Sequence, residues 1–303
     1  MEEYHNPVLL KESIDALDIV ADGVYVDVTF GGGGHSREIL RRLGPEGRLF
    51  AFDQDPDAVR NNIDDARFVL IEENFRNISR FLRFYGVKKV DGVLGDLGVS
   101  SHQFNEADRG FSTRFDADLD MRMNQVDELS GYVVVNNYDE EKLGNVLFQY
   151  GELRNARAMA SVIVEARQEE KIVTSFRLKE VLQRFLPKAK EHKILAQIFQ
   201  AIRIEVNQEL EVLKEFLMQI PDMLSERGRL SVISYHSLED RLVKRFIKNG
   251  LFEGEPEKDF YGNISVPLKN VGKLILPSKE EIKENNRARS AKLRVAKVNL
   301  KKR

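Results

Sequence analysis

The stretch at positions 24–34 reads V-Y-V-D-V-T-F-G-G-G-G, and it decides the fold. Its first part is short, apolar and β-branched, which favours a buried strand, and four consecutive glycines end that strand. Residues 36–43 then show the apolar spacing of a helix. A strand, a glycine turn and a helix in this order are typical of the first unit of a ligand-binding α/β sheet.

Further strand patterns follow along the chain. Asp53 and Asp96 each come at the end of such a run, and Phe75 follows another closely. Because helical segments separate the early runs, the pattern predicts a parallel sheet with right-handed crossovers. The fold class is therefore α/β, with a doubly wound, Rossmann-like sheet. The strands are predicted at 24–30, 48–52, 67–71, 90–94, 229–235, 263–268 and 291–298.

The middle of the chain has a different character. Residues 104–207 lack strand patterning, and segments 139–150, 153–169 and 176–185 carry helical spacing. From Leu195 to Leu217 apolar side chains recur every three to four residues, which predicts one helix leading back to the sheet. We therefore predict a sheet domain of residues 1–103 with 208–303, and an inserted all-helical domain of residues 104–207.

Composition narrows the class of protein. A chain of 303 residues with 42% hydrophobic content can fill two compact units, and the absence of cysteine excludes disulfides and thiolate metal sites. Neither a basic, apolar leader nor a membrane-length apolar run is present, so we expect a cytoplasmic protein. The net charge of −2 does not indicate a nucleic-acid binder, although the stretch from Lys283 onward is strongly basic. That stretch fits a solvated tail and a phosphate contact equally well.

The glycine turn and Asp53 together predict an adenosine cofactor. Glycines let the main chain approach a ligand closely, and an acid about twenty residues later can accept both ribose hydroxyls. A dinucleotide needs a pyrophosphate site at the helix start, but His35 crowds that position here. Asp27, just before the turn, would repel a phosphate and attract a cationic ligand. S-adenosylmethionine, which bears an ammonium and a sulfonium, is such a ligand.

Several longer motifs resemble the RsmH (MraW) family of methyltransferases, and the match covers essentially the whole chain. These motifs are H-N-P-V-L-L at 5–10, D-V-T-F-G-G-G-G-H-S at 27–36, D-L-G-V-S-S at 96–101, R-G-F-S at 109–112, L-D-M-R-M at 119–123, H-S-L-E-D-R at 236–241 and R-A-R-S-A-K-L-R at 287–294.

The resemblance implies a class I methyltransferase sheet that binds S-adenosylmethionine and an inserted helical domain that recognises the substrate. It implies methylation of N4 of a specific cytosine in the decoding region of 16S rRNA, within the small ribosomal subunit. No membrane or DNA partner is expected, and the oligomeric state is left open. The implied cofactor-binding residues are Gly33, Gly34, His35, Asp53, Phe75, Asp96 and Gln103.

Asp96 is our candidate for the catalytic residue. The lone pair of a cytosine amino group is delocalised into the ring, so an acceptor that holds its N–H would help in-line attack on the methyl group. Asp96 could serve this acceptor role or mainly contact the cofactor. An aromatic partner for a splayed-out base would come from Tyr235, Phe111 or Phe115, and the sequence does not choose among them.

Metal catalysis is not predicted, because the histidines are scattered and no ligand spacing supports a site. We interpret His236 as a structural or substrate-orienting residue, and Ser237 as the start of a capping box that opens a helix. Basic residues of the helical domain, among them Arg167, Arg177 and Lys179, are candidates for phosphate contacts. The alternative functions are an NAD-linked oxidoreductase, a methyltransferase acting on DNA or a small molecule, and a non-catalytic ribosome-assembly factor.

Overall fold

The computed structural model describes residues 7–99, 109–258, 260–262 and 264–300. Contacts between residues divide the chain into two compact units. The sheet unit comprises residues 1–98 and 210–303, and the helical unit comprises residues 99–209. The part of the chain that the structure describes contains no helix long and apolar enough to cross a membrane.

The sheet unit is built on a seven-stranded sheet of order β3-β2-β1-β4-β5-β7-β6. Strands β1 to β5 pair in parallel, whereas β7 runs antiparallel to both β5 and β6. The predicted α/β, doubly wound fold class is confirmed. The strands are β1 (Val24–Asp27), β2 (Arg48–Phe52), β3 (Phe68–Ile71), β4 (Val90–Asp96), β5 (Leu224–Ser234), β6 (Leu268–Asn270) and β7 (Lys292–Val298).

Alternate residues of the central strands serve two separate hydrophobic cores. On β2, Phe50 and Phe52 belong to one core, while Leu49 and Ala51 belong to the other. Because helices cover both faces of a parallel sheet, its strands are apolar on both sides. This explains why the strand patterns could be read as continuous apolar runs.

Some helices cover the sheet, and others make up the helical unit. The described α-helices are α1 (Leu10–Ala16), α2 (Gly34–Arg42), α3 (Ile78–Phe84), α4 (Gly131–Asn137), α5 (Glu140–Gln149), α6 (Ala156–Glu169), α7 (Ser175–Val181), α8 (Glu191–Asn207), α9 (Glu209–Met223), α10 (Ser237–Asn249) and α11 (Lys279–Glu284).

The helical unit has a hydrophobic core of its own. Leu143, Ala160, Ile163 and Ile198 are completely buried in it and come from three helices, α5, α6 and α8. Gly144 on α5 packs against Ala160 and Arg157 on α6, and a Cβ at Gly144 would have room at ordinary contact distance. A core of this kind lets residues 99–209 fold as a compact unit.

Two predicted elements were wrong. The single helix expected from Leu195 to Leu217 is two helices, because Gln208 adopts a left-handed conformation with φ 50° and ends α8. Apolar spacing cannot detect that break, since the side chains on either side keep their buried faces. The strand expected at 263–268 lies instead at Leu268–Asn270, where residues pair with β7.

The core under α9 provides a test of this fold. Phe216 is completely buried, whereas Met218 on the same helix is 56% exposed. We expect Phe216→Ala to lower the free energy of unfolding by about 3–5 kcal/mol through lost burial and a cavity. We expect Met218→Ala to change it by less than about 1 kcal/mol. Urea unfolding followed by circular dichroism measures both, and equal losses would contradict the packing described.

Candidate active site

The glycine turn between β1 and α2 is held by hydrogen bonds within the sheet unit. Gly31 and Gly33 have positive φ angles of 50° and 73°, a region that glycine enters without steric cost. The Gly33 N–H donates to the Phe30 carbonyl over 2.7 Å. Gly33 precedes α2, and no side chain caps the helix there. The main-chain N–H groups at this helix start are therefore suited to a ligand.

Packing within the sheet unit requires a glycine at position 34. A Cβ at this position would come within 2.3 Å of Cγ of Pro7, so a larger residue would displace the segment before α1. A Cβ at Gly33 would meet the Phe30 ring at 2.9 Å. The predicted cofactor roles of both glycines thus stay predictions, with a structural reason for glycine beside them.

Asp27 is completely buried beneath the turn. Its carboxylate accepts hydrogen bonds from Ser36 Oγ at 2.7 Å and from the Thr29 N–H at 3.1 Å. Burial raises the pKa of Asp27 to about 6, and these two bonds oppose that rise. Asp27 therefore shapes the turn and contributes negative potential, but it does not present an exposed oxygen to a ligand.

Asp53 follows β2 and connects two turns. One carboxylate oxygen accepts from the Gly31 N–H at 2.8 Å, and the other accepts from the Asp55 N–H at 2.9 Å. Burial raises the pKa of Asp53 to about 6. Each carboxylate oxygen has a second lone pair, so both can also accept from a ribose diol.

The loops after β2 and β3 meet beside Asp53. The Asn74 side-chain amide donates to the Gln54 side-chain oxygen over 2.7 Å. Sequence reasoning did not single out this pair, although both are polar residues within about three positions of a strand end. Phe75 is half-buried next to Asn74, and its ring meets the Phe216 ring edge-on with centroids 5.3 Å apart. Phe75 is thus fixed on one side by the core, and its predicted contact with the cofactor stays a prediction.

Asp96 lies at the end of β4 and is bonded to neighbouring elements through both its main chain and its carboxylate. Its main-chain N–H donates to Thr29 Oγ1 over 2.7 Å, which ties β4 to the segment after β1. Its Oδ1 accepts from the Tyr235 hydroxyl over 2.7 Å, and its Oδ2 lies 3.9 Å from Nδ1 of His35. Burial raises the pKa of Asp96 to about 7, and the nearby charge of Asp27 adds to that rise.

His35 does not neutralise Asp96. Its side chain is buried, and this burial lowers the pKa of the imidazole to about 4. The ring is therefore neutral at physiological pH, so its contact with Asp96 is not an ion pair. His35 lies in the first turn of α2, where the main chain remains available for the predicted cofactor contact.

His236 has a structural role, as predicted, but the capping box starts one residue earlier than predicted. The N-cap of α10 is His236 and not Ser237, and its side chain accepts from the Glu239 N–H. The Glu239 carboxylate in turn accepts from the Tyr235 N–H at 2.9 Å and the His236 N–H at 3.3 Å. The signal for this register was present, since a glutamate three residues after the cap completes a capping box.

The three aromatic residues considered as stacking partners for a base differ in their exposure. Phe111 is buried with its ring 5.6 Å from the Arg109 guanidinium carbon, so it does not present a face to a base. Phe115 is 48% exposed, and Tyr235 is half-buried with its hydroxyl on Asp96. Gln103, predicted to bind the cofactor, lies outside the described residues.

Several basic residues of the helical unit already have partners within that unit. Arg167 donates to the Val135 and Tyr138 carbonyls at 2.7 and 2.5 Å, so it holds α4 and the turn after it. Lys179 lies 2.7 Å from a Glu191 carboxylate oxygen. These two residues are therefore structural first, and phosphate contact by them stays a prediction.

A doubly wound sheet with an antiparallel seventh strand, a glycine turn after β1 and acids after β2 and β4 defines a class I methyltransferase. Comparison with known proteins agrees. A model of the MraW methylase family matches residues 2–299. Ribosomal RNA small subunit methyltransferase H of Christiangramia forsetii is 70% identical over 294 residues, which covers 97% of each chain.

Two further relatives carry the same name. The protein from Flavobacterium johnsoniae is 68% identical over 294 residues, and the one from Bacteroides fragilis is 54% identical over 294 residues. Each alignment covers 97% of both chains. The present chain belongs to the MraW methylase family, and the predicted methyltransferase class and S-adenosylmethionine cofactor are confirmed.

The raised pKa of Asp96 gives the site a pH signature. In the folded protein the Asp96 carboxyl loses its proton near pH 7. In the unfolded chain it loses this proton at about pH 4. The free energy of unfolding of the wild type, relative to Asp96→Asn, should therefore fall as pH rises from about 4 to about 7. His35 acts in the opposite direction, but it is present in both proteins and largely cancels in the difference.

Urea unfolding at several pH values measures this difference. Asp222→Asn, which changes an exposed aspartate near the end of α9, is the matched control. We expect its difference from the wild type to stay constant over the same interval. A constant difference for Asp96→Asn as well would show that the folded protein does not raise the pKa of Asp96.

Proposed function

We propose that this chain transfers a methyl group from S-adenosylmethionine to N4 of a specific cytosine in the decoding region of 16S rRNA. The observation that carries the proposal is the Asp96 carboxylate, which is fixed at the end of β4 with a second oxygen 3.9 Å from a neutral imidazole. The names of the relatives, which specify the small ribosomal subunit, support the acceptor class.

The charge balance of the site fits this cofactor. Asp27, Asp53 and Asp96 all have raised pKa values. The charge of Asp27 adds to the rise in the pKa of both Asp53 and Asp96. Among the described residues, no cationic side chain is one of the groups that shift these three pKa values. A ligand with an ammonium and a sulfonium would offset this repulsion, whereas a pyrophosphate would add to it.

Different residues of the sheet unit would hold different parts of the cofactor. Asp53 would accept from the ribose hydroxyls, Phe75 would contact the adenine, and the N–H groups at the start of α2 would face the amino-acid end. The cofactor itself supplies an electrophilic methyl group on a sulfonium. The protein has no need of a strong base, because the leaving group is a neutral thioether.

Asp96 would act on the acceptor amine. Its Oδ2 can accept an N–H of the cytosine amino group and draw the nitrogen lone pair out of conjugation. As the new N–C bond forms, the amine loses a proton, and a carboxylate with a pKa of about 7 can take it at neutral pH. Holding the amine in line with the methyl group contributes further.

The natural acceptor is proposed to be the small ribosomal subunit or a late precursor of it. A net charge of −2 provides little general attraction for free RNA, and Arg167 and Lys179 of the helical unit are bonded internally. Recognition of a folded particle by its shape would depend less on phosphate contacts.

The role of Asp53 is tested by binding. We expect Asp53→Ala to raise the Kd of S-adenosylmethionine at least tenfold, because two ribose hydroxyls lose a charged acceptor. Isothermal titration calorimetry measures the change. Asp55→Ala is the control, since it removes a neighbouring acid that also accepts a main-chain N–H, from Asp57. Equal losses in both variants would indicate a turn effect and not a ribose contact.

Methyl transfer tests the reaction and its acceptor together. Radiolabelled cofactor is incubated with small subunits from a strain lacking the modification, with naked 16S rRNA and with DNA, and the labelled nucleoside is identified by mass spectrometry. We expect N4-methylcytidine at one position of the subunit, and a loss of at least about 100-fold with Asp96→Asn. Asp222→Asn should retain wild-type activity.

The outcomes separate the alternatives. Label on DNA alone, or on no nucleic acid despite cofactor binding, would overturn the rRNA proposal. Label at another atom or base would retain the class of enzyme and reject the N4-cytosine assignment. Full activity of Asp96→Asn would reject Asp96 as the acceptor of the amine proton.

A further inference from the structure

We propose that Tyr235 is a positioning residue, whose hydroxyl fixes Oδ1 of Asp96 and leaves Oδ2 to receive the acceptor amine. This inference rests on the proposed function, since it assigns Asp96 to the amine. The Tyr235 hydroxyl donates to Oδ1 over 2.7 Å. When Asp96 is ionised, its carboxylate carries no hydrogen and Tyr235 must donate, and Tyr235 keeps its proton because burial and the charge of Asp96 raise its pKa well above the usual range.

The main chain of Tyr235 is itself held from α10. Its N–H donates to Oε2 of Glu239 over 2.9 Å, and the same carboxylate completes the capping box with His236. The start of α10 is therefore linked through Tyr235 to the end of β4. A side chain held at both its main chain and its hydroxyl can orient a carboxylate without losing much conformational freedom on substrate binding.

Packing also defines where the Tyr235 ring lies. One part of it packs against a core cluster that includes Ile233, Leu293 and Val295. Gly98, with φ 100°, lies on another side of the ring. A Cβ added at Gly98 would lie 3.6 Å from Cδ2 of Tyr235, which is an ordinary contact distance. A phenylalanine would keep these ring contacts and remove only the hydrogen bond, which makes Tyr235→Phe an informative substitution.

Among the residues that the structure describes, the groups near the remaining oxygen of Asp96 do not compete for it. Thr29 Oγ1 is engaged with the Asp96 main chain and not with its carboxylate, and the imidazole of His35 is neutral at 3.9 Å. Oδ2 is therefore the oxygen suited to an incoming N–H. The titratable groups that act on Asp96 and Tyr235 are Asp27 on β1, His35 on α2, Glu239 on α10 and Glu281 on α11.

The test compares Tyr235→Phe with the wild type over the pH range from about 6 to about 9. The Tyr235 hydrogen bond favours the ionised carboxylate of Asp96, so its loss should raise the pKa of Asp96. We expect kcat for methylation of subunits to fall about tenfold near pH 7 and its acid limb to move up by about one pH unit. The loss should therefore shrink at alkaline pH.

Other readouts distinguish positioning from a structural role. KM for the subunits and Kd for S-adenosylmethionine should stay within about twofold of the wild type, since neither depends on the orientation of one carboxylate. In an Asp96→Asn background, Tyr235→Phe should change residual activity by less than about twofold, because the two residues act as one unit. Tyr261→Phe removes a hydroxyl from a tyrosine that is 85% exposed and is the matched control.

Two results would overturn the inference. The first is a loss in Tyr235→Phe that is the same at every pH and persists in the Asp96→Asn background, which would indicate a packing role. The second is no loss at all. A wild type that binds the cofactor but methylates no subunit would instead reject the proposed function, and the positioning role would fall with it.

Discussion

The parallel pairing of β1 with β2 on one side and β4 on the other is the constraint on which the site depends. The chain leaves β1 in one direction for β2 and β3, and it later returns on the other side for β4 and β5. The carboxyl ends of adjacent strands therefore meet at one edge, where the connections diverge and make room for a ligand. Asp27, Asp53 and Asp96 come together for this reason alone.

Bringing three carboxylates together is unfavourable for the folded protein. Burial raises the pKa of each, and the described partners that oppose the rise are hydroxyl and N–H groups and not cations. A bound ligand with positive charge would offset the repulsion among these carboxylates. The same carboxylates that lower the stability of the unliganded protein therefore favour binding of such a ligand. Neutral His35 contributes to the same balance, because a charged imidazole would compete with the ligand.

The start of α10 links the site to the far half of the sheet. Glu239 is buried, caps its helix and holds Tyr235, whose hydroxyl reaches Asp96. A local helix cap thereby fixes the geometry of a carboxylate on a different strand. The orientation of Asp96 on β4 thus depends on β5 and α10, which are more than 100 residues further along the chain; Asp96 and Tyr235 are separated by 139 positions.

The sequence by itself determined the positions of the first four strands, the glycine turn and the acids at the strand ends, because buried parallel strands and tight turns leave local signals. The family motifs added the class of enzyme. Only the tertiary structure decided that Asp27 is sealed beneath the turn, that Phe111 is buried and that Tyr235 donates to Asp96. It also decided that Gln208 breaks the long helix and that His236 caps α10. Burial and hydrogen-bond partners depend on residues distant in sequence, so no local pattern could specify them.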